Sequence, residues 1–135
     1  MHHFRKRSAF CLLLTATICL AGCSRPTVSG QVTLDGKALD GGMINFIPAD
    51  SKTGGATWSE VKAGHYSISD GLSLGTHRVE IRWTHKTGRV VRAIPPSPAG
   101  EEVVEGVPPQ YNVNSELKAE IKPGSNQADF QLKSK

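Results

Sequence analysis

Two hydrophobicity patterns divide this chain. Residues 8–22 are uncharged and mostly apolar, and they follow the basic triplet Arg5, Lys6 and Arg7. From Thr27 onward, apolar and polar side chains alternate in short runs broken by glycine and proline. A basic start, an apolar middle and an end on small residues make up the layout of a secretory signal segment. The run is shorter than the roughly 20 residues a helix needs to cross a bilayer core. It also lacks the polar face that a core helix would carry. Residues 1–22 are therefore expected to be a cleaved signal peptide, residues 23–26 a short tether, and residues 27–135 one folded domain.

Within that domain a period of two puts every second side chain on the same face of a strand. In TVSGQVTL, Val28, Gly30, Val32 and Leu34 share a face, and Asp35-Gly36 then marks a tight hairpin turn. GGMINFIP pairs Ile44 with Phe46 and is closed by Pro48, which has no N–H to donate to a ladder. ATWSEV and HYSI predict a second hairpin around Gly64, with Tyr66 and Ile68 facing inward. THRVEIRWT sets Val79, Ile81 and Trp83 against Arg78, Glu80 and Arg82. ELKAEIK directs Leu117, Ala119 and Ile121 inward, and ADFQL does the same with Ala128, Phe130 and Leu132. Seven short strands without a helical period predict an all-β fold, a seven-stranded antiparallel β-sandwich. Residues 86–110 break the pattern. They hold five of the eight prolines, at positions 95, 96, 98, 108 and 109, and are expected to form a long proline-rich loop, within which Val90-Val91 and Val103-Val104 could equally add short edge strands.

Charge and cysteine content change the picture only after the leader is set aside. The chain has 16 basic and 12 acidic residues, but three of the basic ones precede the apolar run. The remainder is nearly balanced, so the basic surface that would favour nucleic acid is not expected. Cys11 and Cys19 lie in the leader and Cys23 directly follows it. The domain must then hold together through its core rather than through disulfides.

Leu20-Ala21-Gly22-Cys23 resembles the lipobox of bacterial lipoproteins. That resemblance implies cleavage before Cys23, a diacylglyceryl group on its thiol and acylation (palmitate-type chains) of its new amine. Two or three acyl chains anchor a protein durably where one binds only marginally. Cys23 is thus the expected lipid attachment site and the membrane lipid its partner. Ser24 after the cysteine implies the outer membrane, facing the periplasm, under enteric-type sorting. More broadly, V-x-G-x-V-x-L-D-G-K, the I-x-F-x-P strand, G-x-Y, G-x-x-x-V-x-I and the closing D-F-x-L resemble the transthyretin-like, or carboxypeptidase regulatory-like, domain. In particular they resemble small lipoproteins built from that domain alone. The family implies a sandwich at the cell envelope and no reaction. Hydroxyisourate hydrolases share this fold, but their C-terminal Tyr-Arg-Gly-Ser is replaced here by DFQLKSK, so that activity is not carried over.

Other chemistry-bearing residues receive structural readings. Gly71-Leu72-Ser73-Leu74-Gly75 matches G-x-S-x-G, but the next residues, THRVEIRW, alternate as a strand rather than a helix, so a turn is expected. His65, His77 and His85 have no ligand-like spacing, and His77 and His85 are expected as partly buried, hydrogen-bonded histidines at the core's rim. Glu101, Glu102 and Glu105 form an acidic cluster read as solvated loop. Trp58 could stack a sugar beside Tyr111, although burial against the long loop is the expected state. No cofactor and no metal are expected. The sequence thus points to a lipid-anchored, non-enzymatic structural, adhesive or protein-interaction module contacting an envelope protein or glycan. The alternative is a carbohydrate- or peptide-binding module using residues 86–110, and a hydrolase is a more remote one.

Overall fold

The structure is a computed structural model that describes residues 24–96 and 98–135. The signal segment and Cys23 lie outside the described residues. The described chain is all-β, with eleven strands and a 3₁₀ turn, Pro109–Tyr111. The strands are β1 Thr27–Leu34, β2 Lys37–Ala38, β3 Met43–Pro48, β4 Thr57–Glu60, β5 His65–Ile68 and β6 Gly75–Arg82. They continue as β7 Thr84–Val91, β8 Gly100–Glu105, β9 Lys118–Ile121, β10 Ser125–Gln127 and β11 Phe130–Leu132.

Three sheets form. One is built around β1, flanked by β5 and β2 on one side and by β10 and β11 on the other. A second runs β4-β3-β6-β9, and the third is the β7–β8 pair alone. Side chains alternate as the sequence pattern requires. Val28 and Val32 of β1, Ile44 and Phe46 of β3, and Val79 and Ile81 of β6 are all buried in one core cluster. Phe46 bridges the two larger sheets, with its ring 5.9 Å from Tyr66 of β5 and 6.4 Å from Phe130 of β11.

Three expectations are corrected. First, β1 pairs with β10 and β11 in parallel, not antiparallel. Second, β4 and β5 are not partners in a hairpin. Ala63 and Gly64, both at positive φ, make a tight turn, but only Lys62 and His65 bridge across it. Beyond that bridge β4 joins β3 and β5 joins β1, so the turn carries the chain from one sheet to the other. Third, residues 86–110 are not one continuous loop. Residues 86–91 and 100–105 pair in the antiparallel β7–β8 arm, with a register irregularity between Lys86 and Val90. These strands include Val90-Val91 and Val103-Val104, the alternative edge-strand positions.

The switch from β10 to β11 explains Gly30. The partner strand breaks at Ala128-Asp129 as it runs alongside Gly30 of β1. The Ala128 N–H donates to the Ser29 carbonyl at 3.0 Å, and the Tyr66 hydroxyl donates to the Ala128 carbonyl at 2.6 Å. A Cβ on Gly30 would lie 1.9 Å from the Ala128 oxygen, which is backbone and cannot swing aside. The alternation read Gly30 as a core-facing position; what faces it is a carbonyl.

Candidate functional site

The two ends of the body differ in what they carry. At one end the chain leads into β1. Arg25 lies 3.7 Å from Asp70, and the Thr27 N–H donates to the Gly124 carbonyl at 3.0 Å. The Asn126 amide donates to the carbonyls of Thr27, Lys122 and Gly124 at 2.8–3.0 Å. It also accepts the Lys122 N–H at 2.9 Å. The Arg25 pair is exposed and contributes little, so the Asn126 network fixes where β1 begins.

The G-x-S-x-G segment lies at this same end. Gly71 and Gly75 both take positive φ, and the chain passes directly into β6, so the segment is the expected turn. Within it the Ser73 hydroxyl lies 3.1 Å from His77 Nε2, while His77 Nδ1 lies 3.0 Å from the Gly75 carbonyl. A carbonyl can only accept, so Nδ1 carries the proton and Nε2 accepts from Ser73. His77 is buried against the edge of Phe46. The pair closes the turn over the core, and the imidazole is held by a carbonyl rather than by a carboxylate. Of the two histidines expected as partly buried at the rim, His77 is hydrogen-bonded but fully buried, whereas His85 is exposed, as is His65. His85 stacks on Trp83 with ring centroids 5.0 Å apart. Among the described residues, no three His, Cys, Asp or Glu side chains converge as a metal site would need.

The opposite end carries the arm and an open surface cleft. Trp83 follows β6. Its N–H donates to Glu105 Oε1 at 2.9 Å, and its carbonyl accepts the Gly106 N–H at 2.7 Å. A Cβ at Gly106 would meet the Trp83 ring at 2.5 Å. The two chains at the base of the arm are thus locked together, and Val107 beyond them is buried. Farther out, every residue of β7 is exposed. The three glutamates do not form one acidic cluster. Glu101 pairs with Lys86 at 3.2 Å, Glu102 pairs with Arg89 at 3.7 Å and accepts from Thr87, and Glu105 serves the base.

Trp58 and Tyr111 are not brought together. The Tyr111 hydroxyl accepts the Lys133 N–H at 3.2 Å beside the C-terminal strand. Trp58 lies on β4, opposite Asn45. Nor is Trp58 buried against the arm: it is 62% exposed. It instead lines an open cleft of about 480 Å³ with Gly42, Met43, Glu60, Arg82 and Thr84. Met43 is the centre of this group, since it pairs with Glu60 on one neighbouring strand and with Arg82 on the other. The sequence placed Arg82 on an outward face and expected Trp58 to be buried against residues 86–110. It gave no sign that β3 would set them around Met43, because strand register is decided by partners distant in the chain.

Comparison with family models, curated proteins and solved structures finds no match to this chain. The functional reading therefore rests on the residues and their arrangement.

Proposed function

We propose that this protein is a lipid-anchored, non-enzymatic module of the bacterial envelope. In this reading residues 1–22 are removed, Cys23 is acylated, and the body is a transthyretin-like β-sandwich facing the periplasm from the outer membrane. Its role is structural or adhesive, through contact with another envelope protein. The lipobox-like segment and the motif set of the strands support the anchor and the family. One geometric observation carries the role. Ser24 and Arg25, which directly follow Cys23, lie beside Gly124 and Asp70 at one end of the body, whereas the β7–β8 arm leaves from the other end. Eight residues of β6 separate the two ends, about 25 Å at roughly 3.3 Å per residue. An anchor at Cys23 would hold the first end against the bilayer and present the arm outward.

The arm suits a protein contact. A two-stranded sheet with solvent on both faces is marginal by itself. This one exposes Val90 at 75%, Ile94 at 75% and Val103 at 55%. The test is membrane fractionation together with site-specific photocrosslinking in cells. Wild-type protein should stay with membranes after a carbonate wash, and Cys23→Ser should be released. A crosslinker at Val90 should yield a discrete adduct that one at Lys52, near the anchored end, does not. Release of the wild type, or equal labelling from both positions, would contradict the reading.

A further inference from the structure

The cleft around Met43 has a chemistry that the anchored-module reading does not use. We propose that it is a binding site for a saccharide carrying a carboxylate, a uronic-acid unit, stacked on Trp58 and held by Arg82. The site belongs to the outward face of the β4-β3-β6-β9 sheet and does not depend on the lipid anchor.

Three observations converge on this occupant. The first is the platform. Trp58 stands on an edge strand of the sheet and is 62% exposed, beside Met43, which is itself 41% exposed. An indole presents an apolar face and a polar tip, the combination that suits a sugar ring with axial C–H groups and peripheral hydroxyls. A purely apolar partner would leave the surrounding charges unsatisfied on contact.

The second is the local charge inventory. Arg78 is paired with Glu80 at 2.6 Å, and Glu60 with Lys62 at 3.0 Å. Glu105 accepts the Trp83 N–H at the base of the arm. Arg82 alone among the cleft's charged groups has no carboxylate within 4 Å among the described residues. A guanidinium presents a fork of donors that fits a carboxylate in bidentate fashion, and it is over-represented where that recognition matters. The free cation asks for an anion from outside the chain.

The third is the spacing. Glu60 and Arg82 are opposite the same residue, Met43, on strands to either side. Neighbouring strands lie about 4.8 Å apart, so these two groups flank a floor about 10 Å wide. Arg82 would take the ligand carboxylate. Glu60, its charge offset by Lys62, would accept hydroxyl hydrogens on the other side, and Thr84 adds a hydroxyl beside Arg82. Gly42 lines the cleft where the chain packs closely on β6: a Cβ there would meet the Arg82 carbonyl at 2.3 Å. The cleft falls within the roughly 300–1,000 Å³ usual for small-ligand sites.

The experiment uses full-length protein in detergent, titrated with an oligogalacturonate and with the neutral galactose oligomer of equal length. Binding is followed by tryptophan emission in a Trp83→Phe background, where Trp58 is the sole remaining tryptophan. The charged oligomer should quench or blue-shift the emission, and the neutral one should bind about tenfold more weakly, as the loss of a charged hydrogen bond requires. Arg82→Gln should abolish that preference while leaving neutral binding within about threefold. Trp58→Ala, read by calorimetry, should weaken both oligomers by about tenfold, the scale of a lost aromatic contact. Both side chains are exposed, so neither variant should disturb the fold, and circular dichroism will verify that. Absence of a signal from either oligomer, undiminished binding by Trp58→Ala, or a charge preference that survives in Arg82→Gln would each overturn the proposal. So would tight binding of a short peptide carboxylate where the sugars fail.

Discussion

β6 and β7 are each eight residues long and are separated only by Trp83, yet they are opposite kinds of strand. β6 lies between β3 and β9 and buries His77, Val79 and Ile81 on one face. β7 has one partner, β8, and buries none of its residues. Hydrogen bonding of the backbone is common to both; burial of a face is not. The comparison separates two sources of order, a core that fixes β6 and cross-strand pairs such as Lys86–Glu101 that hold the arm. The first is worth many kcal/mol and the second very little.

Breaking the core side of this comparison should have the largest effect. Phe46→Ala removes the ring that joins the two larger sheets and should cost about 3–5 kcal/mol in chemical denaturation. Val90→Ala in the arm should stay within about 0.5 kcal/mol. Equal losses at the two positions would mean that the arm is part of the cooperative core. Gly30→Ala should follow, at the upper end of the roughly 1–3 kcal/mol typical of overpacking, because the obstacle is the Ala128 carbonyl. An unchanged denaturation midpoint would show that the β10-to-β11 switch does not press on β1 as described.

A smaller effect should depend on pH in the alkaline range. Burial, followed by the nearby Asp129 carboxylate, raises the Tyr66 pKa well above its ordinary value near 10. The folded state then keeps its proton while the unfolded chain releases it. The contribution is fully present below about pH 10 and declines as pH rises above that value. Tyr66→Phe should cost about 1 kcal/mol at neutral pH through loss of the bond to Ala128, and should flatten the decline above about pH 10. Parallel pH profiles for the two proteins would remove Tyr66 as its cause.

The same contrast explains what the sequence could reveal. Wherever a strand has one buried face, alternation located it: Val28 and Val32, Ile44 and Phe46, Tyr66 and Ile68, and Ala119 and Ile121 are all buried. The Asp35-Gly36 turn also formed, with both residues at positive φ. THKTGRVV has no buried face, so no alternation marks its length; only the pairs Val90-Val91 and Val103-Val104 hinted at edge strands, and the prolines at the arm's tip and beyond β8 suggested a loop around them. Pairing was equally hidden. Nothing local distinguishes β4 and β5 as partners in a hairpin from β4 and β5 as members of different sheets. The cleft residues were visible singly, but their assembly about Met43 depends on the register of β3 with β4 and β6.

The proposed orientation sets the end holding Ser24 against the bilayer and turns the arm away from it. Fluorescence quenching of the lipidated protein, in vesicles doped with a headgroup quencher, reads that orientation without intermediate steps. A dye is placed in turn at Lys52→Cys, near the β3 end that meets β6 at His77, and at Arg92→Cys, at the tip of the arm. Strong quenching is expected from position 52 and almost none from position 92. Equal quenching at both sites, or stronger quenching at the arm, would contradict the orientation and the role built on it.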